Sequence, residues 1–252
     1  MDIFLFLVSL FLNLPSESLL LVEFFLCGIL ILLAERFFGL AGLYVYTAMG
    51  VVAANISVLK TVQFAFYPVP MALGTIVFGS LFLCSDMINE RYGKAAALKA
   101  MGLGFFGYFT TLLMMVMTLG YAQSSSFYFQ SAVSFLMIPG PSLFLASLIA
   151  YFLGQYVDIF LYHFIHVKTG QRYLWVRSLV STLLAIFIDN TLFSLLAWHF
   201  FAVKSLAFED IFWTYILGGT ILRMALSLGN VAFMYISSFL NRNKNPHVPS
   251  VS

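Results

Sequence analysis

Charged residues are scarce in this sequence: aspartate, glutamate, lysine and arginine together make up 9% of its 252 residues. Soluble globular domains typically contain about 25% charged residues, so this composition excludes an ordinary soluble domain. Hydrophobic residues reach 62%, and the 29 phenylalanines and 13 tyrosines suit surfaces that face lipid and its interfaces. The composition therefore predicts an integral membrane protein.

Cysteine and histidine are also few. Cys27 and Cys84 both fall within apolar stretches, and the four histidines show no metal-ligand pattern. Neither a disulfide framework nor a metal site is therefore expected. The net charge of +2 gives no indication of a nucleic-acid partner. The sequence contains no nucleotide-binding loop, and we expect no cofactor.

Seven stretches approach the roughly 20 apolar residues that cross a membrane as a helix. They cover residues 19–34, 41–59, 69–85, 95–121, 141–165, 174–202 and 211–240. The predicted fold class is thus an all-α integral membrane protein. Residues 1–18 are predicted to form an apolar interfacial or disordered arm, residues 19–240 the transmembrane bundle, and residues 241–252 a disordered cytoplasmic tail.

The distribution of basic residues predicts the orientation of the bundle. If the C-terminus is cytoplasmic, the outer loops contain only Lys60 and Lys204. Because loops rich in lysine and arginine stay in the cytoplasm, we predict a cytoplasmic C-terminus and an external N-terminus. The basic residues of the inner loops are then Arg36, Arg91, Lys94, Lys99, Lys168, Arg172, Arg177, Arg242 and Lys244.

Two acids stand at the end of the third predicted span. Asp86 and Glu90 are four residues apart and therefore share one helical face. Charge is costly in a membrane and is usually retained for function. The alternative is that both carboxylates are solvated at the interface, beside Arg91 and Lys94.

Polar residues at helical spacing mark the last three predicted spans. Hydroxyl side chains often join packed helices, but two acids and one base near mid-span are costly unless they are paired or hydrated. We expect Arg223 to pair with Asp158 and Asp189 to bind a ligand, because Asp189 shares its face with Thr182 and Phe193. The polar faces comprise Ser147, Tyr151, Gln155, Asp158 and Tyr162; Arg177, Ser178, Ser181, Thr182, Asp189 and Phe193; and Gly219, Arg223, Ser227 and Asn230.

Many of these residues fall in motifs of defined order and spacing. The motifs are Asn55...Lys60, Ser85-Asp86-x-x-x-Glu90-x-Tyr92-Gly93-x-x-Ala96, Gly154-Gln155-x-x-Asp158, Leu174-Trp175-x-Arg177-Ser178-x-x-Ser181-Thr182, and Asp189-x-x-x-Phe193. Together they resemble the queuosine precursor transporter family over residues 44–235. Four positions depart from the family pattern: Ile186 replaces an amide, Asn190 a threonine, Arg223 a lysine and Phe233 a proline.

The resemblance implies a six-helix core in the bacterial inner membrane that imports 7-deazaguanines for tRNA modification. Candidate substrates are 7-cyano-7-deazaguanine, its aminomethyl relative and queuine. Residues 19–34 would then form one additional N-terminal transmembrane helix.

The chemistry of such a substrate suits the polar faces. A 7-deazaguanine presents a ring N–H beside an exocyclic amino group, and one carboxylate can accept both donors. Its carbonyl suits an amide or guanidinium donor, and its flat ring stacks on aromatic side chains. The predicted substrate-binding residues are Asn55, Asp86, Glu90, Tyr151, Gln155, Asp158, Arg177, Ser181, Thr182, Asp189, Phe193 and Arg223.

We expect a transporter rather than an enzyme, and three alternatives stay open. The first is that the chain is the substrate-binding subunit of a vitamin-type importer energised by a separate ATPase, which would have the same pocket but a different partner. An intramembrane aspartyl enzyme would use two of Asp86, Asp158 and Asp189, although its usual motifs are absent. A channel would need a filter-like loop or rings of charge. The sequence does not decide between a coupled proton and a coupled sodium ion, nor whether the chain forms a homo-oligomer.

Overall fold

The structure, a computed structural model, describes residues 2–66, 71–121, 141–169, 172–201 and 205–241. This part of the chain is almost entirely helical, which confirms the predicted all-α architecture. The main helices are α1 (Asp2–Leu12), α2 (Ser16–Ser57), α3 (Thr75–Tyr92), α4 (Lys94–Gly120), α5 (Pro141–Thr169), α6 (Leu174–Leu195) and α7 (Gly218–Asn241).

Short elements complete the connections between these helices. Strands β1 (Thr61–Val62) and β2 (Met71–Ala72) pair antiparallel between α2 and α3. A π-helical segment, Leu196–Phe200, continues α6. A single helical turn, Phe208–Asp210, and a second π-helical segment, Ile211–Leu217, lead into α7.

Within the described residues, five helical stretches are long and apolar enough to cross a membrane. They contain six of the seven predicted spans, because Ser16–Ser57 covers the first two. The predicted outer loop around residues 123–134 and the tail beyond residue 241 lie outside the described residues. The five stretches are Ser16–Ser57, Lys94–Gly120, Leu143–Thr169, Leu174–Phe200 and Phe208–Leu240.

Helix α2 is folded back on itself at Gly39. This glycine has φ 58° and ψ −138°, which is not helical. In a straight helix Cys27 and Tyr46 would lie about 28 Å apart at 1.5 Å per residue, yet their side chains are close neighbours. The two arms of α2 therefore lie side by side, and they correspond to the first two predicted spans.

The bend requires a glycine at position 39, and this requirement can be tested. The observed backbone conformation is one that essentially only glycine adopts, so Gly39→Ala should destabilise the protein by about 1–3 kcal/mol. Gly102→Ala in α4 is the matched control, since a methyl group there meets no atom within 4 Å. The control should be neutral or stabilising by up to about 1 kcal/mol. Thermal unfolding midpoints in detergent compare the two, and equal midpoints would contradict the bend.

Helix α3 lies at the centre of the bundle, where it packs against α2, α4, α5 and α7. It begins later than the predicted third span and continues to Tyr92, ending at Gly93, whose φ of 82° suits a glycine. Asp86 is therefore inside the helix and is only 1% exposed. The alternative in which Asp86 is solvated at the membrane interface is wrong.

The first arm of α2 packs against α7 through aromatic side chains. Phe233, where the family pattern has a proline, contacts Phe24 with ring centroids 5.7 Å apart. A methyl group at Gly28 would lie 2.3 Å from the same ring, so the glycine permits this close approach. The first arm of α2, which is the additional N-terminal helix, thus packs directly against α7.

Candidate functional site

Two acids from different helices meet at the centre of the bundle. Asp86 of α3 and Asp158 of α5 are 1% and 0% exposed, and their carboxyl groups lie next to each other. The Ser178 hydroxyl donates to Asp86. Thr182 Oγ1 lies 3.4 Å from Asp86 Oδ2 and 3.4 Å from Asp158 Oδ1. We call Asp86 and Asp158 the carboxyl pair.

Several buried polar atoms of the carboxyl pair and of the two turns of α5 before Asp158 lack a protein partner. No donor among the described residues reaches Asp86 Oδ1 or Asp158 Oδ2. Gln155 Nε2 and the Tyr151 hydroxyl, both on α5, are likewise buried without a hydrogen-bond partner. Buried polar groups are normally satisfied, because leaving one unpaired costs about 1–3 kcal/mol. Unpaired acceptors and donors of this kind are the polar groups that small-molecule sites contain.

Arg223 pairs with Asp189, and the predicted pair between Arg223 and Asp158 is wrong. Arg223 Nη1 donates to Asp189 Oδ2 over 2.6 Å, with both residues buried. The physical reason is the packing of the helices. Asp189 on α6 faces α7, whereas Asp158 on α5 faces α3 across Thr182. The arginine also lies 5.6 Å from the centre of the Phe78 ring, so its charge is accommodated without the carboxyl pair.

Glu90 belongs to a second polar cluster, one helical turn from Asp86. Its carboxylate forms an ion pair with Arg177, which is 1% exposed. The Tyr162 hydroxyl donates to Glu90 Oε2 over 2.7 Å, and His166 Nδ1 lies 3.3 Å from the same oxygen. Its neighbours in sequence, Arg91 and Lys94, are not its partners, because Glu90 points toward α5 and α6.

Arg91 instead binds Glu35 at the end of the first arm of α2. The other Glu35 oxygen accepts a hydrogen bond of 2.7 Å from Ser237 in α7. Glu35 thus links three helices, and sequence reasoning missed it as a site residue.

The remaining predicted residues occupy different places. Ser181 donates to the Ser178 carbonyl over 3.3 Å and also contacts the Asp158 carboxyl, so it belongs with the carboxyl pair. Asn55 donates to the Val51 carbonyl of its own helix over 2.8 Å. Phe193 is half-buried on α6, about one turn beyond Asp189. The structure gives no contact between either Asn55 or Phe193 and the carboxyl pair.

Buried asparagines are a second group that sequence reasoning missed. Asn89 donates to the Ile159 carbonyl over 3.0 Å and joins α3 to α5 beside the carboxyl pair. Its position three residues after Asp86, on the same helical face, was the available signal. Asn190 donates to the carbonyls of Tyr215 and Ile216, which belong to the π-helical segment before α7. This residue therefore supports irregular backbone near Arg223.

A cavity of about 500 Å³ lies elsewhere, between α1, the start of α2 and the two short strands. Its lining is mostly apolar, with Glu23 and Lys60 as its charged side chains, and it includes none of the twelve predicted substrate-binding residues. The cavity therefore does not coincide with the unpaired polar atoms of the carboxyl pair and Gln155.

Comparison with known proteins agrees with the motifs. Residues 72–237 match the family described as "Putative vitamin uptake transporter". A "Probable queuosine precursor transporter" of Bacillus subtilis (strain 168) is 33% identical over 170 residues, which are 67% of this chain and 73% of that protein. No solved structure matches the chain significantly. The chain therefore belongs to the vitamin uptake transporter family, and the resemblance to queuosine precursor transporters seen in its motifs is confirmed.

Proposed function

We propose that this protein imports queuosine precursors for tRNA modification. The candidate substrates are 7-cyano-7-deazaguanine, 7-aminomethyl-7-deazaguanine and queuine. The name of the Bacillus subtilis relative supports this class of substrate. The observation that carries the proposal is the buried carboxyl pair, with unpaired acceptor oxygens beside an unpaired amide donor.

Each polar group of the substrate has a counterpart at this position. The ring N–H and the amino group donate to Asp86, whose Oδ1 has no protein donor. The substrate carbonyl accepts from Gln155 or from a protonated Asp158. Tyr151 offers a buried aromatic ring on the same helix, and stacking on such a ring contributes about 1–3 kcal/mol at comparable base-binding sites.

Asp189 and Arg223 have a structural role in this proposal. Their charges neutralise each other at 2.6 Å, so Asp189 has less capacity to bind a substrate than the carboxyl pair has. Glu90 and Arg177 neutralise each other in the same way. The substrate assignment therefore moves from Asp189 to Asp86 and Asp158.

We further propose that the protein lies in the bacterial inner membrane with its C-terminus in the cytoplasm. The asymmetry of basic residues between the loops supports this orientation. In intact spheroplasts, an impermeant maleimide should label a cysteine at Ser125 and spare one at Lys168, in a chain whose Cys27 and Cys84 are replaced by serine. The opposite labelling pattern would reverse the orientation.

The proposed function is tested by complementation. Cells that cannot make queuosine should regain the modified tRNA when they express this protein and receive one precursor at a time. Purified protein in liposomes without any ATPase should also take up the precursor that works in cells. Complementation without uptake in liposomes would favour a substrate-binding subunit that needs an ATPase partner.

The carboxyl pair also allows a second candidate function. Two adjacent buried carboxyl groups that share a proton are the arrangement used by aspartyl hydrolases, and the structure places Asp86 and Asp158 together. Membership of a transporter family makes import the function that we propose. Cleavage of a membrane-spanning peptide by the purified protein, lost in Asp86→Asn, would favour the enzyme instead.

A further inference from the structure

The position of Asp86 beside Asp158 favours a shared proton, because one Thr182 hydroxyl lies 3.4 Å from an oxygen of each acid and neither acid has a basic partner among the described residues. Two carboxylates can only accept hydrogen bonds, so a hydrogen bond between two carboxyl groups needs one of them to be protonated. Both groups are buried and come from different helices. A shared proton would therefore add a link between α3 and α5, beside the hydrogen bond from Asn89 to the Ile159 carbonyl.

The surroundings do not supply another positive charge. Glu90, one turn further along α3, is itself an acid and is paired with Arg177. Among the described residues, the nearby cations already have acidic partners: Arg177 is bound to Glu90, and Arg223 is bound to Asp189.

The other groups that face the pair are uncharged hydroxyls. Ser178, Ser181 and Thr182 of α6 reach the carboxyl pair. Tyr162 of α5 lies near Asp86. A proton bound by one of the two acids removes one of two adjacent buried negative charges without needing further oxygen ligands.

We propose that the carboxyl pair is the proton-coupling site and that one proton enters with each substrate molecule. This inference rests on the proposed function. With the pair facing outward, one proton is shared by Asp86 and Asp158. The substrate then donates its two N–H groups to Asp86, and the proton stays on Asp158, whose O–H donates to the substrate carbonyl.

Substrate and proton leave together on the cytoplasmic side, and the pair takes up a new proton from outside before the next cycle. No covalent bond forms, and the uncharged substrate moves with a single positive charge. Since only the singly protonated pair offers both the acceptors and the O–H donor, proton binding and substrate binding strengthen each other.

Transport into liposomes tests this stoichiometry. With the membrane potential clamped at zero, the interior one pH unit more alkaline and no sodium present, wild-type protein should concentrate 7-cyano-7-deazaguanine about tenfold. A protonophore should lower the ratio to one. Asp210→Asn is the matched control, because Asp210 is an exposed aspartate, and it should behave as the wild type does.

The possible failures are distinguishable. Uptake that reaches only equal concentrations whatever the proton gradient, or that follows a sodium gradient, would overturn the proton site and leave the proposed function standing. Absence of uptake of any 7-deazaguanine under any gradient would overturn both the proton site and the proposed function.

Equilibrium binding assigns the proton to the pair. Wild-type affinity should fall up to tenfold per pH unit on the alkaline side of the pair's titration. Asp158→Asn should bind more weakly and lose this slope. His166→Gln should keep the slope, although His166 is a titratable neighbour of Glu90. If Asp158→Asn does not fold, proton uptake on substrate binding to the wild type is followed with an indicator dye instead. Absence of proton uptake at every pH at which the protein remains folded would overturn the inference.

Discussion

Replacing Asp86 by asparagine is expected to lower precursor uptake at least about 100-fold while leaving the amount of protein in the membrane unchanged. The asparagine has nearly the same shape, so packing in the interior of α3 is retained. Its amide cannot accept two donors side by side, because one of its two polar atoms is itself a donor. Losing a charged partner for two hydrogen bonds costs about 3 kcal/mol or more, which is about 100-fold in affinity.

The matched control is Asp210→Asn, the same chemical change at an exposed position. It should transport at the wild-type rate. Initial uptake rates, normalised to the amount of protein in the membrane, provide the measurement. Normal transport by Asp86→Asn would show that this buried carboxylate does not bind the substrate.

Replacing Arg223 by methionine should damage folding more than the double replacement Arg223→Met with Asp189→Asn. The single change leaves Asp189 as a buried acid without its partner, and breaking a buried ion pair in this way typically costs about 3–5 kcal/mol. The double change removes both charges and leaves two neutral side chains. Its stability should therefore lie between those of the single variant and the wild type.

The same series contains its own specificity control. Arg223→Met combined with Asp158→Asn should fold no better than Arg223→Met, because Asp158 contacts Asp86 and not Arg223. Monodisperse yield and the thermal midpoint in detergent measure the rescue. Rescue by Asp158→Asn alone would restore the pairing that the sequence suggested.

The periodicity of the sequence was sufficient to predict the helices but not how the first of them bends. Long apolar runs predict membrane-length helices because their backbone groups must be satisfied internally. The side-by-side arms of α2 depend on the backbone angles of Gly39. The boundary of α3 was misjudged for a related reason: hydropathy falls at Asp86, yet neighbouring helices bury this part of α3 and the helix continues to Tyr92.

For the candidate site, the sequence identified the residue types but not all their partners. Helical spacing placed Asp158 and Asp189 on inward faces of their helices, and both are buried. Which acid meets Arg223 depends on how the helices rotate against one another, and a single sequence carries little information about that. Glu35 was overlooked because its partners, Arg91 and Ser237, are distant in the chain.

The most direct test of the proposal is the affinity of the purified protein for 7-cyano-7-deazaguanine and for an analogue that lacks the exocyclic amino group. If Asp86 accepts that amino group, the wild type should bind the analogue about 10- to 150-fold more weakly, the value of one hydrogen bond to a charged acceptor. Asp86→Asn should bind both compounds weakly and with nearly equal affinity. The same preference for the amino group in the wild type and in Asp86→Asn would contradict the assignment of the carboxyl pair as the substrate site.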